Sequence, residues 1–92
     1  MKIKPEETDL LGKWEVVDGQ VVSDATAERI NVLVDKYLEK VAGSGWETLF
    51  RDPRDGRYWE LIYPESSWHG GGPPRLTYLS KEQARGKYGS IV

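Results

Sequence analysis

The chain contains no cysteine and a single histidine. Without cysteine it has no disulfide, no thiolate zinc site and no thiol nucleophile. No apolar run approaches the ~20 residues that a membrane-spanning helix needs, and the N-terminus does not resemble a signal peptide. We therefore expect a cytoplasmic protein with no membrane partner.

A basic excess is also missing. The net charge is −2, and residues 1–46 hold nine acidic against six basic residues. Nucleic-acid-binding domains normally carry a clear basic excess, so we expect no nucleic-acid partner. The length of 92 residues predicts a single domain spanning 1–92, in which the charged residues 1–9 form a loose lead-in.

Alternation of apolar and polar residues predicts an antiparallel sheet. Asp18-Gly19 is a turn signal after a half-buried first strand, and a second hairpin is predicted where two aromatic-rich segments flank the loop at 53–56. The predicted strands cover 13–17, 20–22, 46–52, 57–63 and 75–79. Because the second of them is very short, we expect a sheet of about four strands.

An amphipathic helix is predicted over residues 25–42. Ser23-Asp24 offers an N-cap, Gly43 ends the helix, and apolar residues recur at helical spacing between them. A capping box of Ser80 and Gln83 predicts a short C-terminal helix. The fold class is therefore α+β, with an antiparallel β-sheet of about four strands packed against one long amphipathic helix and a short C-terminal helix.

The aromatic residues and the glycine-proline loop have two interpretations each. Four tryptophans are many for this length, and core packing is the favoured role of Trp14, Trp46 and Trp59. Trp68 lies in a loop and is the most available to a partner. The loop at 70–74 (GGGPP) does not fit a phosphate site, because its glycines lead into prolines without N–H groups and then a strand. It is expected to be a rigid connection, with a partner-contact loop as the alternative.

His69 is the remaining candidate for chemistry. Acid–base catalysis would need a carboxylate such as Glu65 beside it, and a metal site would need several ligands at suitable spacing, which the sequence does not show. The favoured interpretation is that His69 hydrogen-bonds to backbone in its loop. We expect no catalytic residue, no metal, no cofactor and no enzyme activity.

Acidic residues recur at helical spacing beside the apolar stripe of the predicted helix. They form either a solvated face or a surface for a basic partner, since opposed potentials speed association. The candidate partner-binding residues are Asp24, Glu28, Asp35, Glu39, Trp68 and His69.

Several strings in the sequence point to a family. The most specific are RDP-x-DGRYWE at residues 51–60 and HGGGPP at residues 69–74, and shorter matches are LGKW at 11–14, YLEK at 37–40 and GWETL at 45–49. Together they cover about residues 10–89. On these motifs the chain resembles the immunity protein 27 family.

The resemblance implies a small α+β protein made beside a toxin of a bacterial polymorphic toxin system. Such a protein binds the toxin domain and protects the producing cell. Toxin domains are often nucleases with basic clefts, so an acidic immunity protein could plug or flank the active site. The alternatives are a small ligand- or nucleic-acid-binding module using Trp68, His69 and the Gly-Pro loop, and, ranked last, a hydrolase built on His69 and Glu65.

Overall fold

An antiparallel sheet forms the centre of the fold. The computed structural model describes residues 3–44, 47–64 and 72–89. Within these ranges five strands pair in the order β1-β7-β6-β5-β4, and two more, β2 and β3, form a separate hairpin. The strands are β1 (Asp9–Leu11), β2 (Trp14–Val17), β3 (Gln20–Ser23), β4 (Glu39–Ser44), β5 (Glu47–Arg51), β6 (Tyr58–Ile62) and β7 (Arg75–Leu79). The predicted α+β class is confirmed, and the sheet has more strands than expected.

The prediction of one long helix is wrong. Helix α1 covers Ala25–Val32, a π-helical turn follows over Leu33–Tyr37, and the chain then becomes extended. The N–H of Leu38 donates to the carbonyl of Leu33 at 2.8 Å, which closes the turn. Residues 39–42, predicted as the last turn of the helix, instead belong to β4, which pairs with β5 along its outer edge. That pairing satisfies backbone groups of β5 that a longer helix would leave without partners.

One sheet face packs against α1 and holds the main core. Phe50 and Trp59 lie opposite each other on β5 and β6, and Leu76 on β7 continues the same face. Ile30 and Leu33 from the helix side join them in one cluster. Trp59 is fully buried, as predicted, and the guanidinium carbon of Arg57 lies 5.1 Å from its ring centroid.

The opposite sheet face is covered by helix α2 (Lys81–Tyr88). The predicted capping box is confirmed, because Ser80 and Gln83 exchange side-chain-to-backbone hydrogen bonds at 3.1 and 2.9 Å. Tyr88 reaches back to the sheet, where its hydroxyl donates to the carboxylate of Glu60 at 2.7 Å. The two helices therefore lie on opposite faces of the sheet.

The N-terminal segment is bound to the hairpin loop between β5 and β6. Composition predicts a loose lead-in for residues 1–9, yet Ile3 is only 3% exposed and joins the core. Arg54 donates to the Ile3 carbonyl at 2.7 Å, and Arg57 donates to the Glu7 carbonyl at 2.9 Å. Glu7 forms a two-pronged ion pair with Arg29 of α1 at 2.6 and 2.7 Å. These arginines are distant in sequence, so composition alone does not reveal the contacts.

The end of the glycine-proline loop is tightly packed. Pro73 and Pro74 are buried, and the N–H of Gly12 donates to the Pro74 carbonyl at 2.9 Å. A Cβ on Gly12 would lie 2.7 Å from that oxygen and 3.0 Å from the Cβ of Ala27. The described end of the loop thus serves as a rigid structural connection.

Candidate partner-binding surface

The β2–β3 hairpin is a regular two-stranded ribbon. Asp18 and Gly19 have φ values of 50° and 78°, the positive values that a two-residue hairpin turn of this kind requires. Trp14 pairs with Ser23 and Val16 pairs with Val21. Directly opposite residues of an antiparallel pair share a face, so these four side chains form one side of the ribbon, here called the valine face.

The valine face is exposed to solvent. Val16 is 72% exposed and Val21 is 63% exposed, which are the largest values among the large hydrophobic side chains in the described ranges. Val17 and Val22 on the reverse side are less exposed, at 49% and 38%. The prediction that the first strand is half-buried is therefore wrong for Val16, because none of the described segments forms a second layer over this side of the ribbon.

A groove accompanies the exposed valines. It has a volume of about 460 Å³ and is lined by Trp14, Val21, Val22 and Ser23. Trp14 itself is half-buried rather than a fully buried core residue. An apolar groove beside exposed β-branched side chains is a typical feature of a surface that another molecule covers.

The four predicted acidic residues lie on different elements. Asp24 is the N-cap of α1, where its Oδ1 accepts from the Ala27 N–H at 2.7 Å, as the predicted N-cap requires. Glu28 lies in the first turn of α1 and is exposed. Asp35 lies in the π turn, and Glu39 begins β4 opposite Arg51. Because the helix ends at Tyr37, the four carboxylates do not form one continuous helical stripe.

Acidic residues also dominate the hairpin. The stretch from Trp14 to Glu28 contains four carboxylates and no lysine or arginine. They are Glu15, Asp18, Asp24 and Glu28. Within the described ranges, Glu15, Asp18 and Glu28 take part in no ion pair, whereas five arginines and lysines elsewhere do. The apolar ribbon is thus accompanied by an excess of negative charge, with Lys13 and Arg29 flanking this stretch in sequence.

Several ion pairs among the described residues lie away from the hairpin. The hydrogen bonds from Arg29 lower the pKa of Glu7 to about 2. Lys87 contacts Glu47 and lies 2.8 Å from Glu60, and the hydrogen bond from Lys87 lowers the pKa of Glu47. Burial, together with the neighbouring Glu60 carboxylate, raises the pKa of Tyr88. These groups are engaged with one another, and Glu15 and Asp18 of the hairpin take part in none of these contacts.

Four residues singled out from the sequence fall outside the part of the chain that the structure describes. They are Trp46, Glu65, Trp68 and His69. In the remaining parts of the chain, no group of three or more His, Cys, Asp or Glu side chains could hold a metal ion. The same parts contain no helix long and apolar enough to cross a membrane.

The described residues form a small antiparallel α+β fold with an exposed ribbon that carries apolar and acidic side chains. The family model described as Immunity protein 27 matches residues 16–80. This match spans most of the chain, and the chain belongs to the Immunity protein 27 family. No curated protein and no solved structure matches it.

The hairpin valines were not among the binding residues predicted from the sequence. The predicted half-buried strand over 13–17 places Val16 on the inside of a layered sheet. The available signal was that both faces of the short ribbon carry valine, so the usual division into a buried and a solvated face fails. A two-residue turn between such strands, with no third strand following directly, indicates a hairpin that stands apart from the main sheet.

Proposed function

We propose that this protein is the immunity partner of a toxin domain from a bacterial polymorphic toxin system. It would bind the toxin in the cytoplasm of the producing cell and neutralise it by forming a tight, stoichiometric complex. Membership of the Immunity protein 27 family carries the proposal. The role is inhibition by occupancy, since immunity proteins are generally not enzymes.

A nuclease is the toxin class that best suits the charge of this chain. Nucleases hold polyanionic substrates in basic clefts, and an acidic protein is electrostatically complementary to such a cleft. Asp24, Glu28, Asp35 and Glu39 are all at least partly exposed and are proposed to face the basic partner. Trp68 and His69 remain proposed contacts on the basis of the sequence.

The decisive experiment is co-expression with the toxin domain encoded by the neighbouring gene. Cells that express the toxin alone should stop growing, and cells that express both proteins should grow normally. Purified toxin and immunity protein should also elute together at equal stoichiometry. Unchanged killing in the presence of well-expressed, folded immunity protein would refute the proposed function.

The contribution of the acidic residues can be measured from association rates. Reversing Asp35 and Glu39 to lysine should slow association with the toxin and weaken its dependence on salt, because long-range attraction contributes mainly to the association rate. The double variant Glu6→Lys/Glu82→Lys is a matched control, since it makes the same change in net charge at two other exposed positions. Equal rates and equal salt dependence for both double variants would identify Asp35 and Glu39 as ordinary solvated residues.

A further inference from the structure

The exposed valines require an explanation beyond stability of the isolated chain. A two-stranded hairpin by itself is marginally stable in water and gains most when a neighbouring layer covers it. Here the side that carries Val16 and Val21 is the most exposed apolar part of the described chain. Burial of such side chains in an interface is favourable, whereas their exposure contributes nothing to the folded monomer.

The charges near the valine face indicate which kind of partner could bind there. Asp18 lies in the turn of the ribbon, and Asp24 and Glu28 follow β3 at the start of α1, whereas Glu15 pairs with Val22 on the reverse side. A second copy of this chain would bring two such acidic sets together, which like-charge repulsion disfavours. A basic protein surface with an apolar centre would be complementary to both the valines and the carboxylates.

We propose that the valine face of the β2–β3 hairpin is the surface that docks on the toxin, with Val16 and Val21 at its apolar centre, Asp18 at its turn end and Asp24 at its α1 end. This inference rests on the proposed function and adds which surface of the protein makes the contact. Apolar residues at the centre of an interface contribute most to its lifetime, and charged residues at the rim contribute to the encounter rate. Val16 and Val21 therefore determine how long the complex lasts.

The test replaces valine by the isosteric threonine on each side of the ribbon. Threonine is also β-branched and suits strands, and all three positions are exposed, so the hairpin should persist. The variant is Val16→Thr/Val21→Thr, and the control on the reverse side is Val17→Thr, because Val22 lines the groove beside the valine face. Binding is measured by surface kinetics against the purified, catalytically inactivated toxin domain encoded beside the protein, with circular dichroism to check folding.

We expect Val16→Thr/Val21→Thr to weaken binding at least about tenfold, mainly through faster dissociation, because two hydroxyls would be buried where methyl groups packed. The control should change the dissociation constant less than about threefold. If the wild type binds and both variants bind equally well, the valine face is not the docking surface. If the wild type itself does not bind the toxin, the proposed function is overturned together with the inference.

A second measurement perturbs the valine face only after the protein has folded. Because the chain has no cysteine, a single introduced cysteine can be labelled after the protein has folded. A bulky maleimide on Val21→Cys should block complex formation, whereas the same label on Gly86→Cys should not, since the space around Gly86 in α2 is open. Complex formation with both labelled proteins would overturn the inference. A wild-type dimer that Val16→Thr/Val21→Thr dissociates would assign the face to a second copy and overturn it as well.

Discussion

Replacement of Gly12 by alanine tests the packing of the glycine-proline loop against the helix. The added Cβ would lie 2.7 Å from the Pro74 carbonyl oxygen and 3.0 Å from the Cβ of Ala27. Neither neighbour is a flexible side-chain end, because one is backbone and the other belongs to a fully buried residue of α1. Relief of the clash must move the helix or the loop, and either movement strains the 2.9 Å hydrogen bond from Gly12 to Pro74.

Overpacking of this kind costs about 1–3 kcal/mol. For a chain of this size each kcal/mol lowers the melting temperature by about 4–8 °C, so Gly12→Ala should melt roughly 10 °C below the wild type. The assay is urea unfolding together with calorimetry.

Gly86→Ala provides the matched control for this prediction. Gly86 lies within α2, and nothing lies within 4 Å of the position that its Cβ would occupy. Alanine should therefore stabilise the protein by about 0.5–1 kcal/mol through helix propensity. Replacement by alanine is thus expected to lower the free energy of unfolding at Gly12 and to raise it at Gly86. A Gly12→Ala protein as stable as the wild type would refute the close approach between the loop and α1.

Two further predictions concern the ion pairs and the buried carboxylate. The pKa of Glu7 is lowered from 4.5 to about 2, so its ion pair with Arg29 stabilises the fold above pH 4.5 and this contribution is lost as the pH falls towards 2. Glu7→Gln should cost about 1–2 kcal/mol near neutral pH and flatten the stability profile in that acidic window, and an unchanged profile in urea titrations would contradict the pairing. Tyr88→Phe removes the 2.7 Å hydrogen bond to Glu60, which is only 4% exposed, and should cost about 1–2 kcal/mol. An unchanged unfolding midpoint would show that Tyr88 does not hold α2 on the sheet.

Much of the fold could be predicted from local sequence patterns. The Asp18-Gly19 turn, the hairpin across residues 53–56 and the capping box at Ser80 all occur as expected. In each case the residues that specify the structure lie within a few positions of one another. Local steric and hydrogen-bonding preferences are then sufficient, because no distant segment competes for the same backbone groups.

The secondary-structure prediction was wrong where the same residues fit both a helix and a strand. Leu38 and Val41 fit a helical stripe, yet residues 39–44 form the edge strand β4. Spacing cannot distinguish these alternatives over a short apolar run. The unpaired edge of β5 decides the outcome, and it exists only once the sheet has assembled.

The candidate surface, like the fold, could be predicted from the sequence only in part. The acidic residues of the hairpin and of α1 are visible in the sequence, and family membership follows from motifs such as those at 51–60. Exposure of Val16 is not visible, because a valine in a strand of alternating pattern is usually buried.

The sequence by itself therefore determined the turns, the caps, most of the strands and the family. Each depends on neighbouring residues or on motifs that can be recognised without coordinates. The tertiary structure alone decided where α1 ends, that residues 3–8 are held by Arg54 and Arg57, and which side of the β2–β3 ribbon remains uncovered. These three outcomes depend on contacts between segments far apart in the chain, and the free energy of such contacts is fixed only when the whole sheet is in place.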